Sequence, residues 1–239
     1  MRDNKITLKK TARTAGLLYF IMAVSGGYGI MYVPSQLIVA GDLTTTTNNI
    51  LSNNFLFRTG ILSNLICQTV FVFLVLTLYR LFKHVDKHLA RTMFALVMVA
   101  VPIAFFIIFN QLYALLLFKE EFMKAFEPQQ VQSLTMALLK MYDYGTSVIG
   151  IFWGLWLIPF GLLAYKSGFI PKIFGILLII GGSSYVLDAF TFILLPHLIY
   201  LTNMMVAITS SIAELSMVLW LLIKGVNNSN AATLIDEDV

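Results

Sequence analysis

Six apolar stretches, each long enough to cross a lipid bilayer, constrain this chain more than any other feature. They run over residues 15–39, 55–82, 89–118, 143–165, 170–195 and 199–223. A hydrocarbon core about 30 Å thick needs about 20 apolar residues of helix, at about 1.5 Å each. Lipid offers no partners to backbone N–H and C=O groups, so each stretch is predicted to be helical. A transmembrane barrel would instead show alternating segments of about ten residues. The runs 71–78 and 96–109 do not alternate. The expected fold is therefore an all-α membrane bundle of six helices.

Composition agrees. Hydrophobic residues make up 59% of the chain and charged residues 12%, about half the usual share of charge. That excludes an ordinary soluble enzyme, a disordered chain and a fibrous repeat. The single cysteine, Cys67, rules out an intrachain disulfide framework and reads as a small buried side chain. The net charge of +4 is not a nucleic-acid footprint, because no basic stripe with interleaved aromatics occurs.

Basic residues carry the orientation. Twelve Lys and Arg fall in the N-terminal arm, the turns around residues 83–88 and 166–172, and the end of the sixth stretch. Four fall on the other side: Arg58, Lys119, Lys124 and Lys140. By the positive-inside rule both termini are expected in the cytoplasm. The chain then divides into a basic arm (1–14), a six-helix domain (15–224) and an acidic, disordered tail (225–239). The arm, its apolar core and Ala23-Val24-Ser25 also resemble a cleavable signal peptide. Apolar character continues to Val39, which favours an uncleaved anchor.

The connecting segments differ in kind. Residues 41–54 are polar, with a Thr44–Thr47 run and four asparagines suited to local turns and an N-cap. Segment 119–142 is external and amphipathic. Glu127-Pro128 marks a helix start, and the apolar spacing beyond it fits an interfacial helix or an extension of the fourth span. A faint repeat relates Phe57-Arg58-Thr59-Gly60 to Tyr142-Asp143-Tyr144-Gly145, too weakly to establish common origin.

Several phrases resemble one family. They are Ala12-Arg13-x-x-Gly16-Leu17-Leu18-Tyr19, Leu78-Tyr79-Arg80-Leu81, Phe152-Trp153-Gly154-Leu155, Lys166-Ser167-Gly168-Phe169-Ile170-Pro171-Lys172 and Leu219-Trp220-Leu221-Leu222-x-Lys224-Gly225. Together, over about residues 12–226, they resemble the bacterial membrane family known as domain of unknown function 4386. The resemblance implies a bacterial six-helix protein of unassigned activity, expected in the inner (cytoplasmic) membrane. It supports retention of the first helix and carries over no catalytic residue.

Ionisable groups inside spans are the candidates for chemistry, since each costs about 2.5–3.5 kcal/mol at a helix centre on insertion scales. Arg58, Asn110, Gln111, Asp143, Asp188 and His197 are expected near one depth, opposite the basic turns. There they would line an outward-facing polar cavity for a small molecule, lipid or ion. Arg58 would pair with Asp188 or Asp143. The competing reading makes them salt bridges that only fix helix order. Glu214, near the midplane with Ser210 and Ser211 one turn before it, reads either as a protonated carboxyl bonded to a hydroxyl or as a proton- or cation-coupling site. His84 and His88 lack the zincin Glu, so no metal is expected. No cofactor fingerprint, Walker loop or nucleophile elbow occurs. The paired small residues Gly150/Gly154 and Gly181-Gly182-Ser183-Ser184 read as helix-packing positions. Three functions stay open: a carrier or binder of a small molecule, lipid or ion; an accessory or sensor subunit holding a protein partner or a second copy through its external loops; and, last, an intramembrane enzyme.

Overall fold

The computed structural model describes residues 2–226, and among them there is helix and no strand. The elements are α1 (Arg2–Gly26), a π-helical segment (Gly27–Tyr32), α2 (Val33–Leu37), α3 (Leu43–Ser52), α4 (Asn54–Phe82), α5 (Lys87–Leu117), α6 (Glu120–Ala125), α7 (Pro128–Lys166), α8 (Lys172–Leu194), a 3-10 turn (Pro196–Leu198) and α9 (Ile199–Ile223). Six stretches are long and apolar enough to cross a membrane: Leu8–Leu37, Asn54–Phe82, Lys87–Leu117, Pro128–Lys166, Lys172–Leu194 and Pro196–Ile223. The protein is an all-α, multi-pass membrane protein.

Helix runs through two of the connecting regions and makes up most of a third. The residues of the expected arm, from Arg2 on, are helical and continuous with the first span in α1. Segment 119–142 contains the short α6 and then the first turns of α7, which runs unbroken from Pro128. The Glu127 N–H donates to Gln130 Oε1 at 2.9 Å, and Pro128 supplies a preset first-turn φ. The polar segment 41–54 forms α3 despite four consecutive threonines, which are weak helix formers. Asp42 caps it: Oδ1 accepts from Thr45 N at 2.9 Å and Oδ2 from Thr45 Oγ1 at 2.6 Å. Those bonds hold the Asp42 carboxyl below its ordinary range, the Thr45 hydroxyl contributing most. Asn49 Nδ2 donates back to Leu37 O at 3.2 Å, satisfying a carbonyl left open at the end of α2. The acidic tail expected from 225 onward lies outside the described residues beyond Val226.

The chain forms two compact units. The first comprises Met1–Phe20, Val70–Val101 and Ser147–Val239. Its α7 and α8 cross antiparallel on glycines spaced seven apart. A Cβ on Gly154 would lie 2.4 Å from Gly182 O, and one on Gly161 would lie 2.6 Å from Gly175 O. The reverse substitutions meet carbonyls at 2.6 and 2.5 Å. The Gly150/Gly154 pairing expected from spacing is corrected: a Cβ on Gly150 would reach only Tyr185, at 3.9 Å. Gly181, next in sequence to Gly182, instead faces Ser210 and Ala213 of α9. One turn on, the Ser184 and Thr209 hydroxyls share a bond of 2.7 Å. An aromatic cluster fills this unit: Trp156 stacks on Phe160 at 5.4 Å and meets Phe71 edge-on at 4.9 Å. Asp86 caps α5 through Leu89 N and bonds Lys166 at 2.9 Å, tying it to the α7–α8 turn.

The second unit comprises Ile21–Thr69 and Pro102–Thr146. Gly60 brings α4 onto Val33, and Gly145 brings α7 onto Ile107. Pro34 has no N–H and its ring crowds the carbonyl four residues back. The turn before it widens accordingly: Val33 N bonds Tyr28 O, five residues earlier. Cys67 is buried in this unit, its Sγ beside Gly26.

Candidate functional site

The second unit encloses a cavity of about 390 Å³, within the usual range for small-molecule sites. Its walls are mostly apolar. The widened turn and α2 contribute Gly29, Val33 and Leu37, while α4 contributes Phe57 and Ile61. From α7 come Met136, Leu139, Lys140, Asp143 and Thr146, at spacings of three and four that keep them on one helix face. The polar groups divide by depth. Gln111 and Tyr142 are buried, whereas Lys140 and Asp143 are exposed.

The buried polar groups are held by Asn64. Its Nδ2 faces Tyr142 Oη at 3.0 Å, Gln111 Oε1 at 3.3 Å and Gly29 O at 3.4 Å. Two hydrogens are thus shared among three acceptors drawn from α5, α7 and the widened turn. Gly29 is required here, since a Cβ would lie 2.3 Å from Asn64 Oδ1 and 2.8 Å from Gly60 O. Asn64 Oδ1 and Gln68 Oε1, one turn apart on α4, are buried without a hydrogen-bond partner. The cavity therefore has an oriented polar wall in Gln111 and Tyr142, held by Asn64, which does not itself line the space.

Arg58, Asn110, Asp143 and Asp188, expected at one site, and Glu214, expected apart from them, lie in different places. Asp143 lines the cavity and the other four do not. Arg58, exposed, donates from Nε to Asn54 Oδ1 one turn earlier on its own helix, rather than to a cavity group. Asn110 donates to Ile107 O at 2.9 Å, and its neighbour Gln111 takes the cavity position, about 100° further around the helix. Asp188 belongs to the first unit, where its Oδ1 accepts from Thr202 Oγ1 at 2.6 Å. The Asn203 amide, with its nitrogen turned toward Asp188, adds donations at 3.0 and 3.1 Å. Glu214, also in the first unit, accepts from Tyr19 Oη at 2.8 Å. Of its expected partners on α9, Ser210 donates instead to Val206 O of its own helix at 2.7 Å. Sequence reasoning gave no role to Asn64 or Tyr142. The available signal was the pair Asn64 and Gln68, two amides at i, i+4 spacing in an apolar helix.

Six membrane-length helices and one amphipathic cavity define a helical multi-pass membrane protein with a candidate ligand site. The family model described as "Domain of unknown function (DUF4386)" matches residues 14–225, and the chain belongs to that family. Neither a curated protein nor a solved structure gives a significant match.

Proposed function

We propose that this protein binds a small amphipathic molecule in the cavity of its second unit, from within the cytoplasmic membrane of a bacterium. The observation that carries the reading is the combination of about 390 Å³ of largely apolar space with oriented polar groups on one wall. The apolar body of the ligand would lie against Val33, Phe57 and Ile61. Its polar head would meet Asp143 and Lys140, which are exposed and of opposite charge. The basic asymmetry supports cytoplasmic termini, with the Lys140–Asp143 part of α7 on the opposite side.

The test uses dodecyl probes carrying a diazirine on the tail and an amine, a carboxylic acid or an alcohol as head. The full chain in lipid vesicles is irradiated with each, and the crosslinked peptides are mapped. Crosslinks concentrated in 29–41, 57–61 and 136–146 are expected, and Met136→Trp, which fills the cavity, should remove most of them. Asp143→Asn should selectively weaken the amine. Crosslinks spread evenly over the exposed helix faces, and indifferent to Met136→Trp, would overturn the reading.

A further inference from the structure

Glu214 raises a separate question, because its carboxyl sits well inside α9 with little to balance a charge. Ala213 and Met217 beside it are fully buried, while Ile212 and Leu215 are more than half exposed. Glu214 thus lies at the seam between a buried row and an exposed apolar row, and is itself part-buried. One oxygen, Oε2, accepts from Tyr19 Oη at 2.8 Å. No second donor contacts the group, and no Lys, Arg or His pairs with it among the described residues.

The elements packed around it add no charge. Tyr19 of α1 is fully buried between Trp156 and Phe160 of α7. Tyr185 of α8 is the other titratable side chain acting on Tyr19. The nearby hydroxyls bond elsewhere: Ser210 and Ser216 to carbonyls of their own helix, and Thr209 to Ser184 and Met205 O. A carboxylate in apolar surroundings with one neutral donor lacks the compensation that a buried ion needs. The missing positive charge has to come from something bound.

We propose that Glu214, oriented by Tyr19, is a binding site for a single proton or monovalent metal cation. Tyr19 occupies one carboxyl oxygen and leaves the other for the incoming ion. Both candidates neutralise the same oxygen pair. The site is independent of the cavity reading and stands or falls without it.

The experiment is modification of the full chain, in detergent micelles, by N,N′-dicyclohexylcarbodiimide. The reagent attacks the protonated acid. The carboxyl oxygen bonds to the central carbon, one C=N bond becomes single, and the carboxyl proton moves to that nitrogen. Nothing leaves, and the later shift of the acyl group to nitrogen keeps the added mass. Peptide mapping follows Glu214 from about pH 5 to about pH 9, a range wide enough to bracket a displaced carboxyl, in sodium chloride and in choline chloride. Labelling that sodium suppresses relative to choline identifies a metal-cation site. Labelling that falls with rising pH, equally in both salts, identifies a proton site.

Tyr19→Phe keeps the ring and removes the donor. It should retain labelling and shift the half-point in pH or sodium by about tenfold in ion concentration, the worth of one hydrogen bond to a charged group. A Glu214 that stays unlabelled while the detergent-denatured chain is labelled would overturn the proposal. So would labelling at one constant rate across all pH values and both salts, since such a carboxyl neither loses its proton nor takes up sodium over that range.

Discussion

In the first unit, glycine removes a side chain so that two backbones can touch. In the second, it removes one so that a side-chain amide can lie against a backbone. Gly154 and Gly182 place each other's would-be Cβ atoms against main-chain carbonyls, and Gly161 and Gly175 do the same one heptad away. Gly29 instead receives the end of Asn64, which gathers Tyr142 and Gln111. The first arrangement yields a dry contact whose polar groups are spent in pairs, such as Ser184 with Thr209. The second yields a polar wall beside open space. The same residue type serves closeness in one place and recognition in the other.

Breaking the dry contact should have the largest effect. Gly182→Val puts a Cβ 2.6 Å from Gly154 O and 3.0 Å from Leu157 Cβ. Helical backbone cannot yield as a side chain can, so a loss of about 3 kcal/mol or more is expected, the upper end for overpacking. Thermal unfolding in detergent would register it, and an unchanged melting temperature would refute the rigid crossing.

Gly29→Ala tests the other use. Its Cβ meets the mobile end of Asn64 as well as Gly60 O. The expected cost is about 1–3 kcal/mol, that of leaving buried polar groups unpaired. Crosslinking of the dodecyl probes should fall by a larger factor than stability alone explains. Stability lost with crosslinking intact would show that the amide wall is structural.

The smallest effect belongs to Asp86→Asn. The Asp86 carboxyl is held below its ordinary value of 3.8, first by the Leu89 N–H and then by Lys166. A group lowered in the folded state stabilises above its unfolded value and loses that contribution as pH falls through its folded value. At neutral pH the variant should be less stable by no more than about 1 kcal/mol, since Lys166 is half-exposed and the pair is screened. The gap from the parent should close as pH drops below about 4, the unfolded range of aspartate. A pH series of melting temperatures would check it.

The six spans were legible from sequence, and position around each helix was not. The six spans follow from one condition, enough apolar length, and that condition can be counted. Azimuth is hidden because residues facing lipid and residues facing the bundle are both apolar. Asn110 and Gln111 show the consequence: adjacent amides at the same depth, one bonded to its own helix and one facing the cavity. Glu214 shows it again, since its partner is Tyr19 on another helix rather than the serines one turn away. Helix α3 was hidden for a different reason. Its threonines argue against helix, and the bonds that offset them reach from Asp42 and back to Val39 and Leu37.

The π-helical segment carries a phase. Each residue of an α-helix turns the chain by about 100°, and a wider turn lags behind that count. The six residues Gly27–Tyr32 therefore set the rotation at which Val33 and Leu37 emerge toward the cavity. Closing all six residues to ordinary α-helical pitch would swing both side chains away by about one residue's rotation. The cavity wall would then be lost without any wall residue having been changed. A site of this kind is written as much in the pitch of the turn before it as in the identity of its residues.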